Sequence, residues 1–181
     1  MKTLIVGLGF GQLYKKIYES MGAEIITVDT DQSKKPDFVE ITTAIEAHPQ
    51  FDTAHICTPN RTHFALAKAL SGHSKIVFIE KPGVQNVAQW TALTHDKKTK
   101  YVMTKNNQYR DNIGDMTNLG HKMSIIDLNW KNNNRIPSPG TWFTNKHLAF
   151  GGVSRDLLPH MLSLLIVLSP TDYEKYNVID K

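Results

Sequence analysis

Leu4-Ile5-Val6 is an unbroken apolar run that stops at Gly7, after which the apolar positions move to helical spacing at Leu13, Ile17 and Met21 until Gly22 ends the segment. Ile25-Ile26-Thr27-Val28 then reads as a second strand, completing a βαβ unit of roughly 30 residues. A strand without a polar face belongs in a parallel sheet covered by helices on both sides. The alternation continues with a strand over residues 37–40, a short helix from Ile41 to Ala47, a strand from Thr53 to Cys57, and a helix from about Thr62 to Leu70 closed by Gly72. A strand from Lys75 to Ile79, a helix that includes Val87 to Thr94 and a strand from Tyr101 to Thr104 complete the series. Such strict alternation predicts an α/β fold with a doubly wound parallel sheet and right-handed crossovers.

After Asn106 the texture changes, and Asn, Gly, Pro and Trp become common. Lys122 to Trp130 alternates as an antiparallel strand, residues 132–140 form a turn-rich loop, and Val153 to Leu168 reads as a substantial helix ended by Pro170. Tyr176 to Ile179 leaves room for one further short strand. The expected organisation is a sheet domain over residues 1–105 followed by a small α+β unit over 106–181, which suits a chain of 181 residues.

Composition narrows the function classes. At 40% hydrophobic and 21% charged residues the chain is globular rather than disordered. Its 21 Lys and Arg against 17 Asp and Glu give a net charge of +4 spread along the sequence, so no nucleic-acid partner is implied. The densest basic groups, Lys97-Lys98 with Lys100 and Ser33-Lys34-Lys35, read as solvated faces. Cys57 has no second cysteine to pair with, and the apolar start is too short for a signal peptide, so the expected compartment is cytoplasmic. Met161 to Leu168 is far below the roughly 20 residues that cross a bilayer, so no membrane partner is expected. His48, His55, His73, His95, His121 and His147 lack metal-ligand spacing, and Cys57 falls within a strand, which argues against a metal site and a thiol nucleophile.

The chemistry begins at Gly7-Leu8-Gly9-Phe10-Gly11, at the junction of the first strand and helix. There the first glycine makes the turn and the second lets a diphosphate approach the main chain. The third glycine of the G-x-G-x-x-G pattern would fall at Gln12; Gly11 stands one place earlier. Amides at the helix start, helped by the helix dipole, would hold the pyrophosphate. Asp29, about 20 residues beyond Gly7 and at the end of the second strand, would accept from the ribose hydroxyls of NAD. Its carboxylate would repel a 2′-phosphate, while Lys34 and Lys35 nearby keep NADP as the alternative coenzyme.

Two further segments carry a resemblance. Ile56-Cys57-Thr58-Pro59-Asn60-Arg61-Thr62-His63 and, after a helix, Val77-Phe78-Ile79-Glu80-Lys81-Pro82 resemble the paired signatures of the Gfo/Idh/MocA oxidoreductases, the glucose-fructose oxidoreductase and inositol dehydrogenase family. The likeness extends through Tyr109-Arg110, Trp142-Phe143 and Gly151-Gly152 to Asp156 and His160. It implies a Rossmann-type dinucleotide-binding domain and a coenzyme site that includes Gly7, Gly9, Phe10, Gly11, Gln12, Asp29, Thr58, Pro59, Asn60, His63, Glu80 and Lys81. It also implies that Lys81 contacts the substrate hydroxyl and assists its proton transfer, with a cis bond before Pro82 aiming it into the cleft. A lysine serving as base near neutral pH needs its pKa lowered by burial or a neighbouring cation.

Asp156 and His160, four apart on the expected helix, share one face, where a carboxylate can fix an imidazole's tautomer. By the resemblance His160 is an acid/base on the reacting hydroxyl, alone or with Lys81, and Asp156 orients substrate or histidine. Tyr109, Arg110 and Trp142 would line the substrate side together with Lys81, Asp156 and His160. The implied activity is NAD(P)-dependent hydride transfer to or from a hydroxyl-bearing carbon of a sugar, polyol or related metabolite. Relatives that act on imines or linear tetrapyrroles, and a catalytically silent dinucleotide-binding sensor or regulator, are the alternatives. The family's second domain is normally much longer, so the chain is expected to be either a cut-down piece or a naturally reduced member. Leu157, Leu158, Met161, Leu164 and Leu165 then need cover, which a homo-oligomer would supply.

Overall fold

The computed structural model describes residues 1–120, 126–129 and 140–168. Five parallel strands, β1 (Lys2–Val6), β2 (Glu24–Val28), β3 (Phe51–Ile56), β4 (Ser74–Ile79) and β5 (Lys100–Met103), form one sheet in the order β2-β1-β3-β4-β5. Helices α1 (Gly11–Ser20), α2 (Ile41–Ala47), α3 (His63–Ala69) and α4 (Val87–Thr94) make the crossovers. The fully apolar runs occupy the sheet interior: Leu4, Ile56, Val77 and Ile79 are completely buried and pack with Val28, Phe51 and Leu70 into one core. Strand order reverses between β2 and β3, on either side of β1, and their carboxyl ends open into a crevice there.

A third strand at residues 37–40 does not form. Contact is confined to a parallel bridge between Val28 and Phe38. The Asp37 carboxylate accepts the Thr27 amide at 2.8 Å and the Thr27 hydroxyl at 2.6 Å, so a side chain takes a donor that a neighbouring strand's carbonyl would otherwise take. Cys57 lies one residue past β3 rather than inside it.

The apolar positions that announce α1 are not its buried face. Leu13, Ile17 and Met21 are 50%, 46% and 61% exposed. The helix is seated by Gly11, where a Cβ would come within 2.8 Å of Ile5, and by Tyr18, whose hydroxyl meets His55 Nε2 at 2.9 Å. These contacts turn the Tyr14–Tyr18 face toward the sheet. Gly22, with φ of +67°, stops the helix as its sequence position predicts.

After β5, α5 (Asp111–Gly120) and α6 (Val153–Leu168) pack together, and α6 also covers the turn at Asn106–Tyr109, where Gln108 donates to the Ser163 carbonyl at 2.9 Å. Leu157, Leu158, Met161, Leu164 and Leu165 are half-buried on α6. Ile126 to Asn129, the described part of the expected strand at Lys122–Trp130, carries no regular element. The rest of that strand, the loop at 132–139 and the strand at Tyr176–Ile179 lie outside the described residues. Among the described residues no helix is long and apolar enough to cross a membrane.

His55 gives the fold a measurable pH dependence. Its ring is 5% exposed, stacked on Phe78 at 4.7 Å and beside Tyr14 at 4.5 Å. Burial lowers its pKa from 6.5 to about 4. Above 6.5 both folded and unfolded states are neutral; between 6.5 and about 4 the unfolded chain binds the proton and the folded chain does not. Stability therefore falls on acidification through this window, by about 3 kcal/mol in all. Urea unfolding between pH 7.5 and 4.5 checks this: His55→Gln flattens the profile, and a slope equal to that of the unmodified chain rejects the assignment.

Candidate functional site

The crevice begins with the turn after β1. Gly7 has φ of +93°, and a Cβ there would lie 2.8 Å from the Cys57 carbonyl, so this position needs both a left-handed backbone and the absence of a side chain. Gly11 supplies the close helix-to-strand contact that the pattern ordinarily places one residue later. At Gly9 a Cβ would meet nothing within 4 Å; bare main chain faces open space. A cleft of about 770 Å³ opens here, lined by Gly7, Gly9 and Phe10 from the turn, Asp29 to Asp31 and Lys34 beyond β2, Cys57 to Pro59 beyond β3, and Trp142. Its dimensions and its glycine-lined wall fit a dinucleotide, with the diphosphate at Gly9 and the adenosine ribose toward Asp29.

Asp29 is 8% exposed. Burial pushes its carboxyl up, but the Asp31 amide, the Lys34 ammonium and the Leu8 amide together hold it below the ordinary value. Its oxygens accept from Leu8 N at 2.6 Å, Asp31 N at 2.8 Å and Lys34 Nζ at 2.9 Å. The carboxylate thus ties the glycine turn to the end of β2.

The loop at the carboxyl end of β3 forms the other wall, and the loop at the carboxyl end of β4 lies next to it. Between them stands His63, completely buried, with Nδ1 2.9 Å from the Gly83 carbonyl and Nε2 2.8 Å from the Thr58 carbonyl. The sequence reading places this residue among the coenzyme contacts; in the structure it is buried between the two loops, with both ring nitrogens at main-chain carbonyls. Burial lowers its pKa, opposed by the two carbonyls and by Glu80. Asn60 donates to the Ala149 carbonyl at 3.1 Å and so joins the β3 loop to the segment ahead of α6. Gln12 is half-buried in the first turn of α1 and is not among the cleft-lining residues.

The β4 loop carries Glu80, Lys81 and Pro82, and the Lys81–Pro82 peptide bond is cis. Glu80 Oε1 accepts from the Tyr14 hydroxyl at 2.6 Å. Lys81 forms an ion pair with Asp156 of α6, two residues 75 positions apart in sequence. His160, one turn along α6 and half-buried, senses the same charges: burial and the Lys81 ammonium lower its pKa, Arg110 adds to this, and Asp156 and Glu80 oppose it. Lys81, Asp156, His160 and Glu80 therefore form one electrostatic cluster, with Arg110 at its edge. Tyr109 does not join it, since its ring is 82% exposed. Burial and the Glu80 charge raise the Cys57 pKa, so this thiol stays protonated and is no nucleophile. Tyr14 and the His63 tie escape the sequence reading. The signal for Tyr14 is the Tyr14–Tyr18 spacing, which marks the true buried face of α1.

Comparison with known proteins decides the family. Residues 1–107, more than half of the chain, match the family model described as an oxidoreductase family with an NAD-binding Rossmann fold. The chain belongs to the Gfo/Idh/MocA oxidoreductases. A relative from Amycolatopsis mediterranei (strain S699), which carries the name UDP-kanosamine synthase oxidoreductase subunit, is 28% identical over 93% of this chain and 51% of its own length. GenD2 from gentamicin A biosynthesis, solved with NAD, shares the fold at a TM-score of 0.74 and 18% identity, covering 93% of this chain and 53% of that one. The WlbA dehydrogenase from Thermus thermophilus, solved with NAD and UDP-GlcNAcA, gives a TM-score of 0.73 at 14% identity over 93% and 62%. The chain thus spans about half the length of the relatives it matches.

The glycine geometry separates binding from folding. Gly9→Ala is expected to keep the thermal midpoint, because its Cβ enters empty space, and, if that space receives the diphosphate as the glycine pattern implies, to weaken NAD binding by at least about tenfold. Gly7→Ala and Gly11→Ala lower the midpoint first. Calorimetric titration alongside thermal unfolding tests the contrast; undiminished NAD affinity in Gly9→Ala refutes the placement.

Proposed function

We propose that the chain is an NAD-dependent oxidoreductase that moves hydride between the nicotinamide and a hydroxyl-bearing carbon of a sugar, polyol or related metabolite. On this reading residues 1–105 hold the coenzyme, and the segment from 106 onward brings the proton-handling groups to it. The observation that carries the reading is the meeting of Lys81 with Asp156 and His160 beside the coenzyme cleft. Two parts of the chain contribute charged and titratable groups to one point at the carboxyl ends of the strands.

The coenzyme, when bound, supplies the hydride acceptor. The chain's own residues do the rest. Lys81, held by Asp156, points an ammonium at the substrate oxygen and steadies the negative charge that grows there. His160, kept neutral by burial and by Lys81, takes the hydroxyl proton as the carbon gives up its hydride, and returns it in the reverse direction. Glu80, fixed by Tyr14, adds a negative charge that acts on His160. Relatives with this architecture carry nucleoside-diphosphate sugars, as the WlbA complex with UDP-GlcNAcA shows for that protein, which favours sugar-like substrates here.

Lys81→Ala and His160→Gln each reduce turnover by roughly 10²- to 10⁴-fold while NAD still binds. Steady-state rates on a panel of sugars, polyols and sugar nucleotides, with calorimetric NAD titrations in parallel, check both halves. Full activity in both variants removes the assignment, and tight NAD binding with no turnover on any substrate favours the sensor reading. We also propose a homo-oligomer, motivated by the exposed Leu13, Ile17 and Met21 on α1. Light scattering after size exclusion is expected to give a mass of at least two chains at micromolar concentration, and a clean monomer contradicts it.

A further inference from the structure

We infer that Lys34 sets coenzyme choice and makes the adenosine end of the cleft accept a 2′-phosphate, so that NADP binds alongside NAD. This rests on the reading of the cleft as a nicotinamide dinucleotide site. A lone carboxylate at the end of β2 rejects NADP by repulsion and welcomes NAD by accepting from the ribose diol. In this chain the carboxylate is not alone. Asp29 Oδ2 already accepts from Leu8 N at 2.6 Å and from Lys34 Nζ at 2.9 Å, which fills both of its acceptor directions. Oδ1 accepts from Asp31 N at 2.8 Å and keeps one direction for a ligand. A ribose hydroxyl must therefore compete with an ammonium for half of the recognition site.

The ammonium is held there by construction of the turn. Asp31 caps Gln32–Lys34, its carboxylate accepting the Ser33 amide at 3.0 Å and the Ser33 hydroxyl at 2.6 Å. Lys35 follows with φ of +52°, which ends the turn and leaves Lys34 facing Asp29. Lys34 lines the same cleft as Gly9 and Thr30, with its side chain 36% exposed, so its ammonium is open to a ligand as well as bound to Asp29. It has three N–H donors; Asp29 uses one, and Asp31 stands further off at 3.9 Å. The remaining donors suit the oxygens of a phosphate monoester. Glu40 also lines this end and opposes the added charge, so the expected result is tolerance of the 2′-phosphate, not preference for it.

Calorimetric titration of the full chain with NAD and with NADP at low salt tests the inference without reliance on turnover. The two dissociation constants are expected to lie within about thirtyfold of each other. In Lys34→Ala the ratio widens by at least about tenfold in favour of NAD, as Oδ2 is released to the ribose and the cation is lost. Lys34→Arg, which keeps the cation, stays near the wild-type ratio, and thermal unfolding of each variant confirms that the fold persists. A wild-type preference for NAD above about thirtyfold, or an unchanged ratio in Lys34→Ala, overturns the role of Lys34 while leaving the dinucleotide site intact. Failure of both coenzymes to bind overturns the site and this inference together.

Discussion

A completely buried imidazole holds the two loops of the candidate site in register. His63 reaches the Thr58 carbonyl with one nitrogen and the Gly83 carbonyl with the other, at 2.8 and 2.9 Å. Parallel neighbours β3 and β4 fix where these loops leave the sheet, but nothing in the strand ladder fixes where they go next. The tie does so from inside the first turn of α3, joining the wall of the cleft at Thr58-Pro59 to the loop bearing Glu80-Lys81-Pro82. The neutral ring has one N–H and so donates to one of the two carbonyls while it packs against the other; leaving that buried carbonyl without its donor would cost about 1–3 kcal/mol.

A second constraint works from the opposite side of the sheet. Tyr14 lies against the His55 ring, which stacks on Phe78 of β4, and its hydroxyl reaches Glu80. The helix that starts at the glycine turn therefore also anchors the acidic residue beside Lys81. The glycine turn and the cluster of Glu80, Lys81, Asp156 and His160 are coupled through α1, and a shift of that helix would disturb both. This explains why α1 turns two tyrosines rather than its leucine and isoleucine toward the sheet: the polar ends of Tyr14 and Tyr18 each find a partner, and the apolar residues are left outside.

Much of this was legible in the sequence wherever the signal is local. The helices at Ile41–Ala47 and Val153–Leu168 match their periodicity to the residue, and Gly22 stops α1 where expected. The glycine turn and Asp29 could be read because spacing along one βαβ unit dictates the geometry. What could not be read depends on partners far apart in the chain. Asp156 and His160 declare each other by helical spacing, but the ion pair of Asp156 with Lys81 crosses 75 positions and leaves no periodic trace. Asp37, which replaces a third strand by bonding Thr27 with its side chain, looks in the sequence like any strand-edge acid. His63 follows a Thr-Pro-Asn-Arg-Thr segment that suggests ligand contact, and only its burial shows that it faces inward.

The distribution of charge around the cleft follows from these contacts. Beyond β2 Asp29 is engaged by two backbone amides and an ammonium; beyond β4 Lys81 is engaged by Asp156. Each end thus carries an opposed pair with a member open to a ligand, rather than one unopposed charge. A pair of this kind loses little stability when no ligand is present, because neither charge is buried alone. It also makes each end adjustable, since an incoming anion or hydroxyl has only to share a partner and not to neutralise a buried charge. His160 is the exception: burial and the neighbouring Lys81 ammonium lower its pKa, so on the proposed reading it is the group that receives the proton.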